Sequence, residues 1–239
     1  MDTTVLVIHA KHLTARRQHM ERQLKDWPGR VEYILDYDRD ELTDEVIRTY
    51  IKPGCELDNR SGATSCAVKH LLACRYIVEH QLEGALVLED DIVLHPGFRE
   101  DFEKTLDEWR RCYAGQPVLI SYEDSSLQFI PRSQRVKGRM LYDAPLGRVR
   151  FAGALYYSRQ VAQAILDDVQ ANKCDIAIDH YQKNLNQKGV IRFVWSEPCL
   201  ATQGSFTGMF TSSMGQIRSM EGLRWHLKYF YKRLLYWFR

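Results

Sequence analysis

Short apolar runs with strand character alternate with helical stretches along most of this 239-residue chain. The strand-like runs lie at 3–9, 31–35, 84–88, 117–121, 151–157 and 190–195, and the helical stretches between them at 14–27, 64–81, 96–112 and 159–170. Such alternation favours a three-layer α/β fold with a mostly parallel sheet. The stretch from 122 to 149 is less regular and predicts loops or small antiparallel hairpins. Ligands of such sheets bind beyond the carboxyl ends of the strands.

The composition is that of an ordinary globular protein, with 45% hydrophobic and 27% charged residues. No apolar run approaches the length of roughly 18 residues that a membrane span needs. The first residues carry neither a basic segment nor an apolar signal region, so we expect a cytoplasmic protein. The six cysteines form no C-x-x-C pair, and we expect reduced, mostly buried thiols.

Charge is distributed unevenly along the chain, which predicts a domain over 1–217 and a tail over 218–239. The tail carries six Lys or Arg and one acid, which leaves a net charge of −3 on the body. A nucleic-acid binder is disfavoured, because its positive charge should lie on the folded face.

Helical spacing in the tail collects large apolar side chains on one stripe, with Trp225, Tyr229 and Tyr236 on the opposite flank. The stripe comprises Leu223, Leu227, Phe230, Leu234, Trp237 and Phe238. Arg224, Lys228, Lys232 and Arg239 lie beside it. This pattern is typical of a helix at a membrane surface, so we expect peripheral attachment to the inner face of the cytoplasmic membrane. The alternatives are that the stripe packs on the domain or forms a dimer contact.

Three consecutive acids, Glu89, Asp90 and Asp91, end the apolar run 84–88. Adjacent carboxylates repel one another unless a cation or hydrogen-bond donors neutralise them. Along an extended chain Glu89 and Asp91 point one way and Asp90 the other. Two carboxylates on one side suit Mg²⁺ or Mn²⁺ that a phosphate also holds, so we predict a metal site here. A solvated acidic turn is the alternative.

The segment LVLEDDI at 86–92 resembles the acidic metal motif of glycosyltransferase family 25, which acts in lipooligosaccharide biosynthesis. Further segments agree in order over about 3–206: Arg16-Arg17 at the first helix, GATSCAVKH at 62–70, GALYYS at 153–158, Asp179-His180, and Glu197-Pro198 followed by Gln203 and Ser205. The chain departs from the family pattern where it has His9-Ala10 after the first strand and Lys69 before His70.

The resemblance implies a GT-A-like, Rossmann-type three-layer sandwich. It also implies an inverting hexosyltransferase that uses a UDP-sugar, with galactose as the sugar that the family suggests. The acceptor would be a cell-surface glycan such as the lipooligosaccharide core, presented as an oligosaccharide or lipid-linked glycan. Asp91 and Glu89 would bind Mn²⁺ or Mg²⁺, and Asp179 would be the catalytic base or else cap the helix that follows. Donor-binding residues would be Asp90, Arg16, Arg17, His9, His70, Gly153 and Gln203. For at least one of the two arginines we expect only a solvated helix face.

Two further patterns leave alternatives open. Asp36-Tyr37-Asp38 after the second strand would contact the nucleoside or form only a turn. Cys66, His70 and Cys74 recur every four residues, and we expect a packed helix face there, because three ligands on one helix cannot converge tetrahedrally on zinc.

Two competing functions fit parts of the sequence. A nucleotidyltransferase acting on a sugar phosphate shares an acidic metal motif, but it would carry a Gly-rich basic loop after the first strand, which this chain lacks. A non-catalytic glycan-binding protein of the same fold has no need of three adjacent acids.

Overall fold

The computed structural model describes residues 2–211 and 219–238 and contains nine strands and eight α-helices within them. The strands are β1 (Thr4–Ile8), β2 (Val31–Ile34), β3 (Gly84–Glu89), β4 (Ile92–Leu94), β5 (Val118–Ser121), β6 (Leu141–Asp143), β7 (Ala154–Ser158), β8 (Arg192–Ser196) and β9 (Ala201–Gln203). The helices are α1 (Thr14–Gln23), α2 (Asp44–Tyr50), α3 (Gly62–Glu79), α4 (Phe98–Tyr113), α5 (Arg159–Asn172), α6 (Ile178–Gln187), α7 (Gly204–Thr207) and α8 (Ser219–Phe238).

Seven strands form one sheet in the order β2-β1-β3-β7-β5-β8-β6. β1 pairs in parallel with β2 and β3, and β5 pairs in parallel with β8. β7 and β6 pair antiparallel with their neighbours, so five of the seven strands run in one direction. The predicted Rossmann-type three-layer sandwich with a mostly parallel sheet is confirmed.

Alternate residues of the central strands feed two separate cores, one on each face of the sheet. Leu6, Val87 and Leu155 point toward helices α2, α3, α5 and α6. Val5 and Leu86 point toward helices α1 and α4 on the other face. Because both faces are covered, the central strands are apolar throughout, which is why they appear in the sequence as continuous runs.

Some element boundaries differ from the sequence prediction. The run at 190–195 is not the last strand, since β9 follows it and pairs with β4 as a second, two-stranded sheet. The irregular stretch 122–149 contributes one strand, β6, whose antiparallel partner β8 lies outside the stretch, so this strand does not belong to the small hairpin that was the alternative to a loop. Helix α1 ends at Gln23, four residues before the predicted end.

The strand register places the acidic segment at the edge where parallel strands end. Ile8 at the end of β1 is opposite Glu89 at the end of β3. After the turn at Asp90 and Asp91, β4 pairs with β9 so that Ile92 lies opposite Gln203. The backbone N–H of Gly204 donates to the carbonyl of Asp91, 2.7 Å away. The acidic turn is therefore fixed between the two sheets.

Helix α8 packs on the body through the flank opposite its apolar stripe. The Trp225 indole N–H donates to the Ser125 carbonyl at 3.0 Å, and Tyr229 and Tyr236 meet the ring of Phe129 edge-on. Arg233 lies 3.6 Å from the buried carboxylate of Glu197. These contacts hold Trp225, Tyr229 and Tyr236 against the body and not at a membrane surface.

The predicted apolar stripe of α8 faces solvent, although the ring of Trp237 also packs against the Arg132 guanidinium, 3.9 Å from the ring centroid. Its six side chains are between 56% and 79% exposed: Leu223, Leu227, Phe230, Leu234, Trp237 and Phe238. The alternative that this stripe packs on the domain is therefore wrong. Within the described ranges, no helix is both long and apolar enough to cross a bilayer.

Candidate active site

Two cavities flank the acidic turn at the carboxyl ends of β1 and β3. The larger, about 760 Å³, lies between the loop after β1, the segment 38–41 and the start of α3. The smaller, about 200 Å³, lies between the acidic turn, the start of α6 and residues 203–206. Arg16, Cys66 and Glu89 line both, so the two cavities meet at these side chains. A ligand in the larger cavity would thus present one end to the smaller one.

Asp90 is held by protein groups on the side of the larger cavity. Its Oδ2 lies 2.8 Å from His9 Nδ1, and its Oδ1 accepts a hydrogen bond from Arg16 Nη1 at 2.7 Å. Burial alone would raise the pKa of Asp90, but the bonds from His9 and Arg16 outweigh it and lower that pKa. Asp90 is therefore an anion fixed inside the protein, at the wall of the cavity that His9 and Arg16 also line.

Asp91 and Glu89 line the smaller cavity together, whereas Asp90 does not, which matches the sidedness predicted from strand alternation. Asp91 is 4% exposed, and its Oδ1 has no hydrogen-bond partner among the described residues. Burial raises the pKa of Asp91 to about 6, with the charge of Glu89 adding to the shift. Glu89 Oε2 accepts a hydrogen bond from Gln203 Nε2 at 3.0 Å.

The donor set of Asp91 and Glu89 fits a divalent cation. A buried carboxylate oxygen without a partner and a second carboxylate on the same cavity wall are a hard oxygen pair of the kind Mg²⁺ and Mn²⁺ prefer. Burial first and the neighbouring charge of Glu89 second raise the pKa of Asp91, and a bound cation would offset both effects.

Asp179 also lines the smaller cavity. It occupies the first turn of α6, whose N-cap is Ala177, so the alternative in which Asp179 caps this helix is not what forms. Its Oδ1 accepts a hydrogen bond from the N–H of His180 at 2.8 Å. Burial raises the pKa of Asp179, and the charge of Glu89 adds to this.

Three predicted donor-binding residues line neither cavity. Arg17 pairs with Glu21 at 2.9 Å and stacks on Tyr33, which is the solvated helix face expected of one of the two arginines. His70 is fully buried, and it lies in the middle of α3, since that helix begins at Gly62. Its ring contacts Tyr157 and lines neither cavity, so the expectation that His70 binds the sugar donor is corrected.

Gly153, the third of these residues, acts through the absence of a side chain. A Cβ at this position would lie 2.5 Å from Glu123 Oε2 and 2.7 Å from Gln203 Nε2. The backbone carbonyl of Gly153 accepts a hydrogen bond from the N–H of Glu89 at 2.8 Å. Gly153 therefore permits the close packing beneath Glu89 and Gln203.

Glu123 is a buried acid that the sequence reasoning missed. It is fully buried, and among the residues that the structure describes neither carboxylate oxygen has a side-chain partner. Burial raises its pKa well above the ordinary range, with the charges of Glu89 and Asp91 adding to this effect. Glu123 and Asp124 follow the apolar strand β5 as the acidic triplet follows β3, and that repeated pattern is the signal that could have found them.

Asp38 belongs to the wall of the larger cavity, which favours the ligand-contact alternative for the segment 36–38 over a simple turn. Asp38 accepts hydrogen bonds from the ammonium group of Lys69 and from the N–H of Lys11. Burial opposes ionisation, but these bonds lower the pKa of Asp38. Lys69, where the chain departs from the family pattern, thus closes this wall and also donates to the His9 carbonyl.

Comparison with known proteins adds independent information. A family model described as glycosyltransferase family 25 (LPS biosynthesis protein) matches residues 2–141. A protein of Acanthamoeba polyphaga mimivirus, named as a glycosyltransferase, is 29% identical over an alignment of 163 residues that covers 64% of this chain and 48% of that protein. The chain therefore spans about half the length of this curated relative.

Two solved structures are similar in outline. A glycosyltransferase involved in glycosylation of the major capsid of PBCV-1 aligns with a TM-score of 0.48 and 10% identity, over 95% of this chain and 100% of that one. Mouse xyloside xylosyltransferase 1 aligns with a TM-score of 0.44 and 12% identity, over 81% and 84% of the two chains.

Proposed function

The chain belongs to glycosyltransferase family 25, and from this premise we propose that it transfers a hexose from a UDP-sugar to a hydroxyl of a glycan. Galactose is the sugar that the family membership suggests, and the acceptor would be a cell-surface glycan such as the lipooligosaccharide core. The observation that carries the proposal is the meeting of the two cavities at the acidic turn. The larger has the volume for a nucleotide, and the smaller has Asp91 and Asp179 on its walls.

The proposed reaction proceeds with inversion at the anomeric carbon. The acceptor hydroxyl oxygen forms the new bond to that carbon while the bond to the UDP oxygen breaks. Asp179 accepts the hydroxyl proton on a carboxylate oxygen, which its raised pKa favours. Arg16, at the junction of the cavities, orients the diphosphate, since a guanidinium pairs well with phosphate oxygens.

We propose that Asp91 and Glu89 hold Mn²⁺ or Mg²⁺. A cation there supplies positive charge against the negative charge that develops on the leaving diphosphate. Asp90 stays bonded to Arg16 and His9, and it keeps the guanidinium in place at the cavity junction.

The test is a screen of nucleotide sugars with the full chain and Mn²⁺, read by released nucleotide with and without an oligosaccharide acceptor. Release of UDP from one UDP-hexose, lost with EDTA, supports the proposal. Release of pyrophosphate would indicate the nucleotidyltransferase instead. UDP binding by calorimetry without any turnover would indicate the glycan-binding protein.

We further propose that residues 218–239 form a tail that attaches the enzyme to an anionic membrane surface, at the inner face of the cytoplasmic membrane. The aromatic flank of α8 is occupied by the body, whereas its apolar stripe is exposed. Arg224 and Lys228 are exposed beside this stripe, and each basic residue near an anionic leaflet contributes about 1 kcal/mol. A lipid-linked glycan acceptor would be presented at that surface.

The membrane proposal is tested by co-sedimentation with anionic and neutral liposomes. Leu227→Glu with Phe230→Glu should abolish sedimentation with anionic vesicles, while Leu146→Glu, at an exposed leucine outside α8, should not. Equal partitioning of all three proteins would overturn the proposal. Loss of a dimer in the double variant, with no lipid binding in the parent, would assign the stripe to a second copy.

A further inference from the structure

Cys66 and His70 lie one helical turn apart on α3 and face the end of β3, where Glu89 lies. Cys66 Sγ is 3.5 Å from Glu89 Oε1, and His70 Nε2 is also 3.5 Å from Glu89 Oε1. One ligand atom from each of the three residues lies within 4.8 Å of the others. A thiol, an imidazole and a carboxylate thus converge from two elements.

These separations are those of a tetrahedral zinc site. Zinc bonds of about 2.0–2.3 Å to nitrogen, oxygen and sulfur, at tetrahedral angles, place neighbouring ligand atoms about 3.3–3.8 Å apart. The two measured edges fall in this interval, so only the Cys66–His70 edge needs adjustment. Three ligands on one helix cannot converge on zinc, and this site does not require them to, because its third ligand is Glu89 of β3 and not Cys74.

His70 gives a second, independent indication. The side chain is fully buried, and Nε2 has no hydrogen-bond partner among the described residues. Its other nitrogen, Nδ1, lies 3.0 Å from the Tyr157 hydroxyl, which in turn lies 2.6 Å from the amide of Gln182. Gln182 Nε2–H donates to the Tyr157 hydroxyl oxygen, and in the tautomer that is protonated at Nδ1, His70 Nδ1–H donates to the same oxygen. Nε2 then carries its lone pair toward Cys66 and Glu89, as in metal-binding histidines whose other nitrogen is fixed by a partner.

We propose that Cys66, His70 and Glu89 form a binding site for a zinc-class cation. This site shares Glu89 with the proposed Mn²⁺ or Mg²⁺ pair of Asp91 and Glu89 but differs from it in ligand chemistry. A thiolate with an imidazole selects Zn²⁺ over Mn²⁺ and Mg²⁺, which prefer oxygen ligands. Cys66 and Glu89 line both cavities, which gives the ion a path of entry and leaves a fourth position open. On coordination the Cys66 thiol loses its proton to solvent, and the thiolate sulfur forms the bond to the metal.

The proposal is tested on the metal-free full chain by titration with Co²⁺, which takes zinc sites and reports a thiolate ligand by a charge-transfer absorption band. The expected result is a band that saturates at one equivalent and disappears when Zn²⁺ is added, but persists when Mn²⁺ is added. Absence of the band in the parent protein overturns the proposal, whether or not the chain transfers sugars.

Variants assign the ligands. Cys66→Ser should remove the band, while Cys112→Ser, at an exposed thiol outside the cluster, should leave it unchanged. Tyr157→Phe should weaken cobalt affinity by about 10–100-fold, because Tyr157 positions His70. A band that persists in Cys66→Ser, or that depends on Cys112, overturns the site.

A further measurement applies if Cys66→Ser does not fold. In the parent protein, Zn²⁺ should protect Cys66 from alkylation by iodoacetamide, read by mass spectrometry of its peptide, while Cys112 reacts at an unchanged rate. Equal labelling of Cys66 with and without Zn²⁺ overturns the proposal.

Discussion

The guanidinium of Arg16 lies against the carboxylate of Asp90, with Arg16 Nη1 2.7 Å from Asp90 Oδ1. Both side chains are less than 10% exposed, and the second guanidinium nitrogen, Nη2, lies 3.8 Å from Asp91. One cation on α1 thus neutralises part of a charge cluster that follows β3. The acidic turn is tolerable in the folded protein because this cation and His9 compensate it.

We expect Arg16→Met to lower the free energy of unfolding by about 3 kcal/mol at neutral pH, because a buried carboxylate loses its cationic partner. The pKa of Asp90 is lowered in the folded state, so its contribution is present above its unfolded value and is lost as the pH falls through the folded value. The deficit should therefore shrink in acid. Urea denaturation over a pH series measures both effects.

Arg17→Met is the matched control for Arg16→Met. Arg17 is the next residue on the same helix, but its side chain is 42% exposed and pairs with the exposed Glu21. Its removal should change stability by no more than about 0.5 kcal/mol. Equal losses in the two variants would contradict a stabilising role for the Arg16–Asp90 pair.

Asp91→Asn should stabilise the metal-free protein while it abolishes sugar transfer. The folded pKa of Asp91 is about 6, above its ordinary value of 3.8, so the folded state holds a proton more tightly and the ionised form costs stability. The gain from Asn should appear as the pH rises from about 4 to about 6 and stay near 1–3 kcal/mol above that. Urea denaturation in EDTA measures it.

The transfer rate of Asp91→Asn tests the role of Asp91 as a metal ligand. Retention of more than about a tenth of the transfer rate, a barrier change under about 1.4 kcal/mol, would exclude Asp91 as a metal ligand. An unchanged free energy of unfolding across the pH series would show that Asp91 is not destabilised by burial.

The fold follows from the sequence where local pattern and burial agree. Strands β1 and β3 are apolar throughout because both faces of the sheet are covered, so their positions are evident without the structure. The sequence also predicts a charge cluster at 89–91 that a cation or hydrogen-bond donors must neutralise, because three charges directly after such a strand are costly without compensation.

The rest of the site depends on tertiary placement. Asp179 is 88 residues beyond Asp91 in sequence, and its presence on the same cavity came from resemblance, not from local pattern. For α8, spacing identified both faces correctly but not which one packs on the body. The aromatic flank packs because Trp225 and Arg233 supply a donor and a cation to the buried groups Ser125 and Glu197, which the apolar stripe could not do.

Gly153→Ala should lower the free energy of unfolding by about 1–3 kcal/mol, because the added methyl group has no space. Its Cβ would lie 2.5 Å from Glu123 Oε2, 2.7 Å from Gln203 Nε2 and 2.7 Å from the Ile92 side chain. Urea denaturation measures the loss. Adding Gln203→Ala should restore part of it, and strictly additive losses in the double-mutant cycle would show that Gln203 is not the group displaced.

Asp179→Asn should lower kcat by about 10²–10⁴-fold with little change in donor affinity, because a general base acts in the transition state. Burial raises the pKa of Asp179, so activity of the parent enzyme should rise as the pH passes upward through that raised value and the carboxylate forms. The residual activity of Asp179→Asn should not show this rise with pH. Steady-state kinetics over a pH series, with UDP affinity from calorimetry, separates the two roles.

Weaker donor binding at unchanged kcat would make Asp179 a donor ligand and leave the base unassigned. Asp175→Asn is the matched control, since Asp175 is exposed four residues earlier and lines neither cavity, and its kcat should equal that of the parent enzyme.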